Sequence, residues 1–90
     1  MKLELYAIGF NDGKDNYYIN TIFTKLNNIP SKVEVRDIVA CKEDNFIDLP
    51  YIKLFASKEI ANNYLEGVKE YFANKGGNEE VYLVTLNRVD

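Results

Sequence analysis

The segment that most constrains the fold is residues 57–77, "SKEIANNYLEGVKEYFANKGG", which has the signals of one amphipathic helix. Ser57 stands where an N-cap is preferred, and Gly76 with Gly77 stands where a left-handed helix end is preferred. The apolar residues between them recur at spacings of three and four, as one stripe of a helix does. This stripe contains Ile60, Ala61, Tyr64, Leu65, Val68, Tyr71 and Phe72. We predict a helix over 58–75 whose stripe packs against the rest of the domain.

The runs on either side of this helix have the composition and alternation of β-strands. We predict strands over 2–10, 32–41, 51–56 and 80–89. The 32–41 run is rich in Val and Ile, which favours a strand, and its irregular step at Asp37 suggests a bulge. Ser31 with Glu34 also fits a helical capping box, so a helix is the alternative for this run.

Residues 16–28 fit two structures. Ile19, Ile22, Phe23 and Leu26 follow the spacing of a helical stripe, and Pro30 stands where such a helix would end. The β-branched content favours a strand over 17–24 instead. We take the helix as the prediction and the strand as its alternative.

With the helix at 16–28, the chain order is β-α-β-β-α-β, which is the ferredoxin-like arrangement of an α+β domain. Two helices then cover one face of a four-stranded antiparallel sheet, and one domain spans 1–90. An apolar fraction of 47% suffices for its core. We expect Leu3, Leu5, Ile52 and Leu54 to face the helices. The outward face then carries Tyr6, Ile8, Phe10, Tyr51 and Phe55, a candidate partner-binding patch.

The residue types present argue against catalysis and metal binding. The chain has no histidine and one cysteine, Cys41, so the commonest acid–base group is absent and no intrachain disulfide forms. "GFNDGK" at 9–14 lacks the glycine spacing and the Ser or Thr of a phosphate-binding loop, and "NDGKD" lacks the rest of a calcium loop. Asp44 and Asp48 resemble exposed loop acids rather than an acid–base pair. We predict a cofactor-free, non-enzymatic protein.

Charge and hydropathy favour a soluble protein without the basic field that attracts nucleic acid or anionic membrane. A net charge of −3 gives no basic field to attract either partner. No apolar run approaches the ~20 residues of a membrane helix, and the start at Lys2 alternates unlike a signal peptide. The composition, rich in Asn, Lys and Ile, suggests an AT-rich bacterial or phage genome. We expect the protein in the cytoplasm of a bacterial host.

The acidic residues concentrate in three connections that meet at one end of the predicted sheet: 11–15, 42–50 and 75–80. These connections hold the acids Asp12, Asp15, Glu43, Asp44, Asp48, Glu79 and Glu80 and the lysines Lys14, Lys42 and Lys75. Seven acids and three lysines sum to −4, while the other seven acids and eight bases sum to +1. This set is the second candidate partner-binding site, suited to a protein partner with a basic surface.

"LYAIGF" at 5–10 and "YIKLFASKEIANNYL" at 51–65 resemble the strand segments of an RNA-recognition motif. The resemblance implies that Tyr6 and aromatics of the third strand stack on bases. In register with Phe55, however, the usual stacking positions carry Pro50 and Ile52, and the glycine and leading basic residue of the motif are absent.

In size, acidity and absence of catalytic groups, the chain resembles small phage or mobile-element inhibitors of host defence nucleases, such as anti-CRISPR proteins. That resemblance covers general character and assigns no residues. The prediction is a non-enzymatic protein-binding module that occludes a basic nucleic-acid groove. The alternatives are a ferredoxin-like module that forms a homodimer through its open sheet face, and an RNA binder.

Overall fold

The computed structural model describes residues 2–25, 32–43 and 52–89, with side chains described over 4–25, 32–43 and 52–86. The elements are β1 (Lys2–Asn11), β2 (Asn16–Lys25), β3 (Glu34–Lys42), α1 (Lys58–Asn74) and β4 (Glu80–Val89). The strands form one sheet in the order β3-β2-β1-β4, in which all neighbours are antiparallel. Helix α1 packs on one face of this sheet. The predicted α+β class and four-stranded antiparallel sheet are confirmed.

The predicted pair of helices and the ferredoxin-like order are wrong for the described residues, because 16–25 form strand β2. The turn before β2 explains the outcome. The Asp12 carboxylate accepts hydrogen bonds from the backbone N–H groups of Lys14 and Asp15, at 2.9 and 2.8 Å, and Gly13 has a φ of 96°. This tight turn returns the chain directly alongside β1. The alternative strand over 17–24 is therefore the correct reading of this segment.

The predicted strand at 51–56 is also corrected. Strands β1 and β2 pair over three residues next to their turn and then separate. The 53–55 segment enters the gap between them: Phe55 and Tyr6 exchange two backbone hydrogen bonds of 2.8 Å, and the Lys53 N–H donates to the Ile19 carbonyl at 3.0 Å. The segment makes one isolated bridge with β1 rather than a strand. Tyr51 lies outside the described residues.

Helix α1 confirms the predicted caps. The Ser57 hydroxyl accepts a hydrogen bond from the Ile60 N–H at 3.3 Å. At the other end, Gly76 has a φ of 72°, and its N–H donates to the Ala73 carbonyl while the Gly77 N–H donates to the Phe72 carbonyl, both at 3.0 Å. These two bonds form a Schellman motif, which satisfies carbonyls that the end of a helix leaves open.

The core lies between α1 and the face of the sheet that carries Tyr6, Ile8 and Phe10. This orientation is opposite to the prediction, which placed these residues outward. Tyr6 and Phe10 are 9% and 7% exposed, and Phe55 is 6% exposed. The physical reason is volume: the alternate positions of β1 carry Ala7 and Gly9, which cannot fill the space beneath a helix.

The apolar stripe of α1 is narrower than predicted. Ala61, Leu65 and Val68 are buried, but Ile60 is 51% exposed. A residue outside the stripe, Gly67, is buried because α1 passes close to the start of β3. A Cβ atom at Gly67 would lie 2.7 Å from the Val33 carbonyl oxygen.

Candidate functional site: an acidic end of the sheet

Five acidic residues lie at the end of the sheet where β1 and β3 finish and β2 and β4 begin. Asn11 of β1 pairs with Asn16 of β2 on one side and with Glu80 of β4 on the other. The Glu43 N–H, just after β3, donates to the Asn16 carbonyl at 2.9 Å. We call this set the acidic end: Asp12, Asp15, Glu43, Glu79 and Glu80. Asp44 and Asp48, predicted with the same group, lie outside the described residues.

The acidic end keeps a negative charge after its neighbouring lysines are counted. Its five acids and the three lysines of the same connections sum to −2. Lys42 Nζ lies 3.6 Å from an Asp15 carboxylate oxygen, in an exposed ion pair. Lys75 is directed elsewhere, because its Nζ donates to the Tyr71 hydroxyl at 2.6 Å. Negative potential therefore remains at this end of the sheet.

Asp12 has a structural role as well as a charge. The backbone N–H groups of Asp15 and Lys14, and the hydroxyl of Tyr17, stabilise its carboxylate and lower its pKa from the usual value. Asp12 therefore remains ionised while it holds the turn between β1 and β2. A substitution at Asp12 would change both the turn and the charge, so it is a poor probe of binding.

Three tyrosines line the acidic end, and none of them was predicted as a site residue. Burial raises the pKa of Tyr17, Tyr18 and Tyr82, and neighbouring carboxylates raise it further. Both Glu43 and Glu80 act on Tyr82, so acids that follow β3 and begin β4 share one neighbourhood. The hydroxyls stay protonated around neutral pH and remain hydrogen-bond donors. Tyr17 and Tyr18 were missed because their segment was read as a helix.

Gly9 fixes the position of the Tyr82 ring. On the sheet face opposite α1, Gly9 pairs with Tyr18 of β2 and with Tyr82 of β4. A Cβ atom at Gly9 would lie 2.7 Å from Tyr82 Cε2, so the ring lies directly on the glycine backbone. The Tyr82 hydroxyl then reaches Asn16 Oδ1 at 3.4 Å. The missing side chain at Gly9 is what allows an aromatic ring to lie flat at this edge of the site.

The sheet face opposite α1 carries apolar side chains with partial exposure. Val39 of β3 is 48% exposed and Leu86 of β4 is 38% exposed. The predicted outward residues Tyr6, Phe10 and Phe55 do not lie on this face, since they are buried beneath α1. The candidate site residues therefore separate into an acidic end, in which Asp15 and Glu79 are half-buried and the other three acids are exposed, and three buried aromatic residues.

No protein-family model matches the chain, and no curated protein or solved structure matches it. Within residues 2–25, 32–43 and 52–89, no helix is long and apolar enough to cross a membrane. Across the same residues, no group of three acidic or thiol side chains is arranged to hold a metal ion.

Proposed function

We propose that this protein is a non-enzymatic binding module that docks its acidic end against the basic surface of a protein partner. The observation that carries the proposal is the convergence of five acids from three connections at one end of the sheet. The grouping concentrates negative charge at one end of a protein whose net charge is only −3. A surface of this sign accelerates encounter with a basic groove.

The acidic end is also preorganised, which favours binding. Backbone hydrogen bonds hold the turn of Asp12 and the position of Glu43, so little chain entropy is lost when a partner docks. Tyr18 and Tyr82 add flat amphipathic rings with hydroxyl donors. Tyrosine is enriched at protein interfaces for this reason.

The partner we propose is a nucleic-acid-binding enzyme, such as a bacterial defence nuclease, whose basic groove the acidic end would occlude. A protein partner is favoured over RNA by the position of the aromatic residues. Tyr6 and Phe55, which the RNA-recognition resemblance would place against bases, are buried beneath α1. The two positions that this resemblance would use for stacking are therefore covered by the helix.

The test compares two double variants that change the net charge equally. Glu43→Gln with Glu79→Gln neutralises two positions of the acidic end, and Glu66→Gln with Glu70→Gln neutralises two exposed positions on α1. Each takes the net charge from −3 to −1. Immobilised wild type and both variants are used to capture proteins from a bacterial lysate, and association rates are measured with each purified protein retained.

We expect a retained nucleic-acid-binding protein to associate roughly three- to tenfold more slowly with the acidic-end variant, since rim charges act mainly on encounter rate. The α1 variant should bind as the wild type does. Added DNA should compete, and binding should weaken as salt rises. Equal binding of both variants at all salt concentrations, or no competition by DNA, contradicts the proposal.

A homodimer through the open sheet face is the second candidate, favoured by the exposure of Val39 and Leu86. These two residues lie on opposite edge strands of the sheet, so a dimer through this face would span its full width. Val39→Lys should then convert a dimer to a monomer in light scattering. A dimer that persists in Val39→Lys excludes this face as its interface.

A further inference from the structure

Among the described residues, strand β4 lies at an edge of the sheet and has none of the bulges or prolines that usually protect an edge strand. Its ladder with β1 runs without a register shift over ten residue pairs. Residues 81–87, "VYLVTLN", contain no charge, proline or glycine. We propose that β4 pairs antiparallel with β4 of a second copy, which joins the two four-stranded sheets into one of eight strands. Long, flat, apolar edges are templates for such pairing.

The opposite edge of the sheet, β3, shows how the same chain protects an edge. Its ladder with β2 has two register shifts, after Ile19 and after Phe23. Its sequence carries four charged residues, Glu34, Arg36, Asp37 and Lys42. Bulges and charges of this kind discourage edge pairing. The contrast makes β4, and not β3, the edge available to a second copy.

The backbone pattern shows which groups of β4 point outward. The N–H and C=O groups of Tyr6 are hydrogen-bonded to Phe55 and therefore point away from β4. Its partner in β4, Thr85, therefore belongs to a pair that is not hydrogen-bonded to β1. Because these pairs alternate, the odd-numbered residues of β4 direct their N–H and C=O groups to the outer edge. No described residue of the chain pairs with that edge.

Charge selects one register for the dimer. In an antiparallel pair centred on Val84, Val84 faces its own copy, Leu83 faces Thr85, and Glu80 faces Arg88. In this register the odd-numbered residues form the hydrogen-bonded pairs, which agrees with the outward direction of their N–H and C=O groups. Glu80 and Arg88 are the only charged residues of β4, and no other symmetric register places them opposite each other. Opposite charges directly across an antiparallel pair are stabilising.

The antiparallel arrangement also separates the two acidic ends. Each β4 begins at its own acidic end, so the two acidic ends lie at opposite ends of the shared interface. A parallel pair would bring them side by side, with like charges adjacent. The two surfaces share Glu80, but the other four acids of the acidic end lie outside β4. The docking test changes Glu43 and Glu79 and leaves Glu80 in place, so either proposal can fail without the other.

The first experiment exchanges the charges of the proposed cross-strand pair. Glu80→Lys places Lys opposite Arg88, and Arg88→Glu places Glu opposite Glu80, so each variant alone should dimerise roughly tenfold more weakly than wild type. An equimolar mixture should recover, because a heterodimer restores both opposite-charge pairs. Analytical ultracentrifugation measures the dissociation constants, and circular dichroism checks that each variant folds.

The second experiment uses a disulfide to test the register, in a Cys41→Ala background that removes the native thiol. Val84→Cys should form a linked dimer under mild oxidation, because facing residues of a non-hydrogen-bonded pair have Cα atoms about 4.5 Å apart. Leu86→Cys is the matched control on the same face. In the proposed register, position 86 faces Tyr82 of the second copy. The two cysteines at position 86 would therefore lie about 13 Å apart along the strands, and they should link much more slowly.

Three results would overturn the proposal. The first is a wild-type monomer at millimolar concentration, and the second is a charge-variant mixture no tighter than its components. The third is equal linking through Val84→Cys and Leu86→Cys. A monomer whose odd-numbered β4 amides resist hydrogen exchange would show that another segment of the chain covers the edge. Recovery in the mixture together with selective linking at Val84 supports the dimer.

Discussion

At the scale of single residues, Val68 and Ile60 are both apolar residues of α1, but the fold uses them differently. Val68 is fully buried between α1 and the sheet, whereas Ile60 is 51% exposed in the first turn of the helix. Their sequence context is similar, because each lies on the predicted apolar stripe. The two positions therefore form a matched pair for measuring what burial contributes.

We expect Val68→Asp to lower the free energy of unfolding by about 4 kcal/mol or more, because an unpaired carboxylate would enter an apolar core. Ile60→Asp should change it by about 1 kcal/mol or less, because an acid in the first turn is favourable for a helix. Urea unfolding followed by circular dichroism gives both values. Similar losses of unfolding free energy in the two variants would mean that α1 does not bury the face that carries Val68.

At the scale of secondary-structure elements, helix α1 was predictable and the 16–25 segment was not. The caps of α1 are local signals, since Ser57 and Gly76 act within a few residues of the helix ends. Residues 16–25 satisfy both a helical and an extended pattern. The choice depends on the turn at 12–15 and on pairing with β1 and β3, which are not local features.

The 53–55 segment shows a different limit. The apolar residues of 51–56 favour a strand, but the 53–55 segment fits between β1 and β2 where they separate, and makes one bridge. The space for it exists because β1 and β2 pair over only three residues. No property of the segment itself sets the length of that pairing. This is why the prediction of a strand over 51–56 was wrong.

A tyrosine connects α1 to the edge strand β3. The Tyr71 hydroxyl donates to Asp37 Oδ1 at 3.0 Å and accepts from Lys75 Nζ at 2.6 Å, and Lys75 Nζ lies 4.4 Å from the centroid of the Tyr71 ring. Hydrogen bonding by Tyr71, and then by the Ile38 N–H, lowers the pKa of Asp37. The bond to Tyr71 is therefore a pH-dependent connection between the two elements.

The sign of this pH dependence follows from the lowered pKa. A carboxyl group whose pKa is lower in the folded state contributes its stability above the unfolded value of about 3.9, and loses it as the pH falls through the folded value. We expect the stability advantage of wild type over Tyr71→Phe to shrink as the pH falls from about 6 to below 3.9. Thermal unfolding across that range measures it. A constant difference would show that Asp37 titrates independently of Tyr71.

At the scale of the whole molecule, the five described acids of the predicted group lie at one end of the sheet although the predicted topology was wrong. The position of a connection depends on the directions of the strands it joins. The predicted and observed folds both run 34–42 in the same direction as β1, and 80–89 alongside β1 in the opposite direction. The connections at 11–15, at 43 and at 75–79 therefore meet at one end in either fold.

At the acidic end, the surroundings of Glu79 are unfavourable for a negative charge. Its carboxylate folds back over Gly77, close to the C-terminal end of α1, and its Oε2 atom is buried with no hydrogen-bond partner among the described residues. Negative charge near a helix C-terminus is unfavourable. Glu43 adds a second charge at the same end of the sheet.

We therefore expect Glu43→Gln with Glu79→Gln to stabilise the protein by a few tenths to about 1 kcal/mol at low salt. The gain should shrink in 0.5 M salt, because screening weakens the repulsion that the substitutions remove. Glu66→Gln with Glu70→Gln should give no gain, because each substitution removes an ion pair. Glu66 Oε1 lies 3.9 Å from Lys69 Nζ, and Glu70 Oε1 lies 3.9 Å from Lys32 Nζ. Thermal unfolding at both salt concentrations measures the difference.

A variant that gains stability from Glu43→Gln with Glu79→Gln and loses partner binding would show that the acidic end is retained for recognition at a cost in stability. A loss of stability at low salt would mean that these carboxylates support the fold, and that their grouping is no indication of a partner.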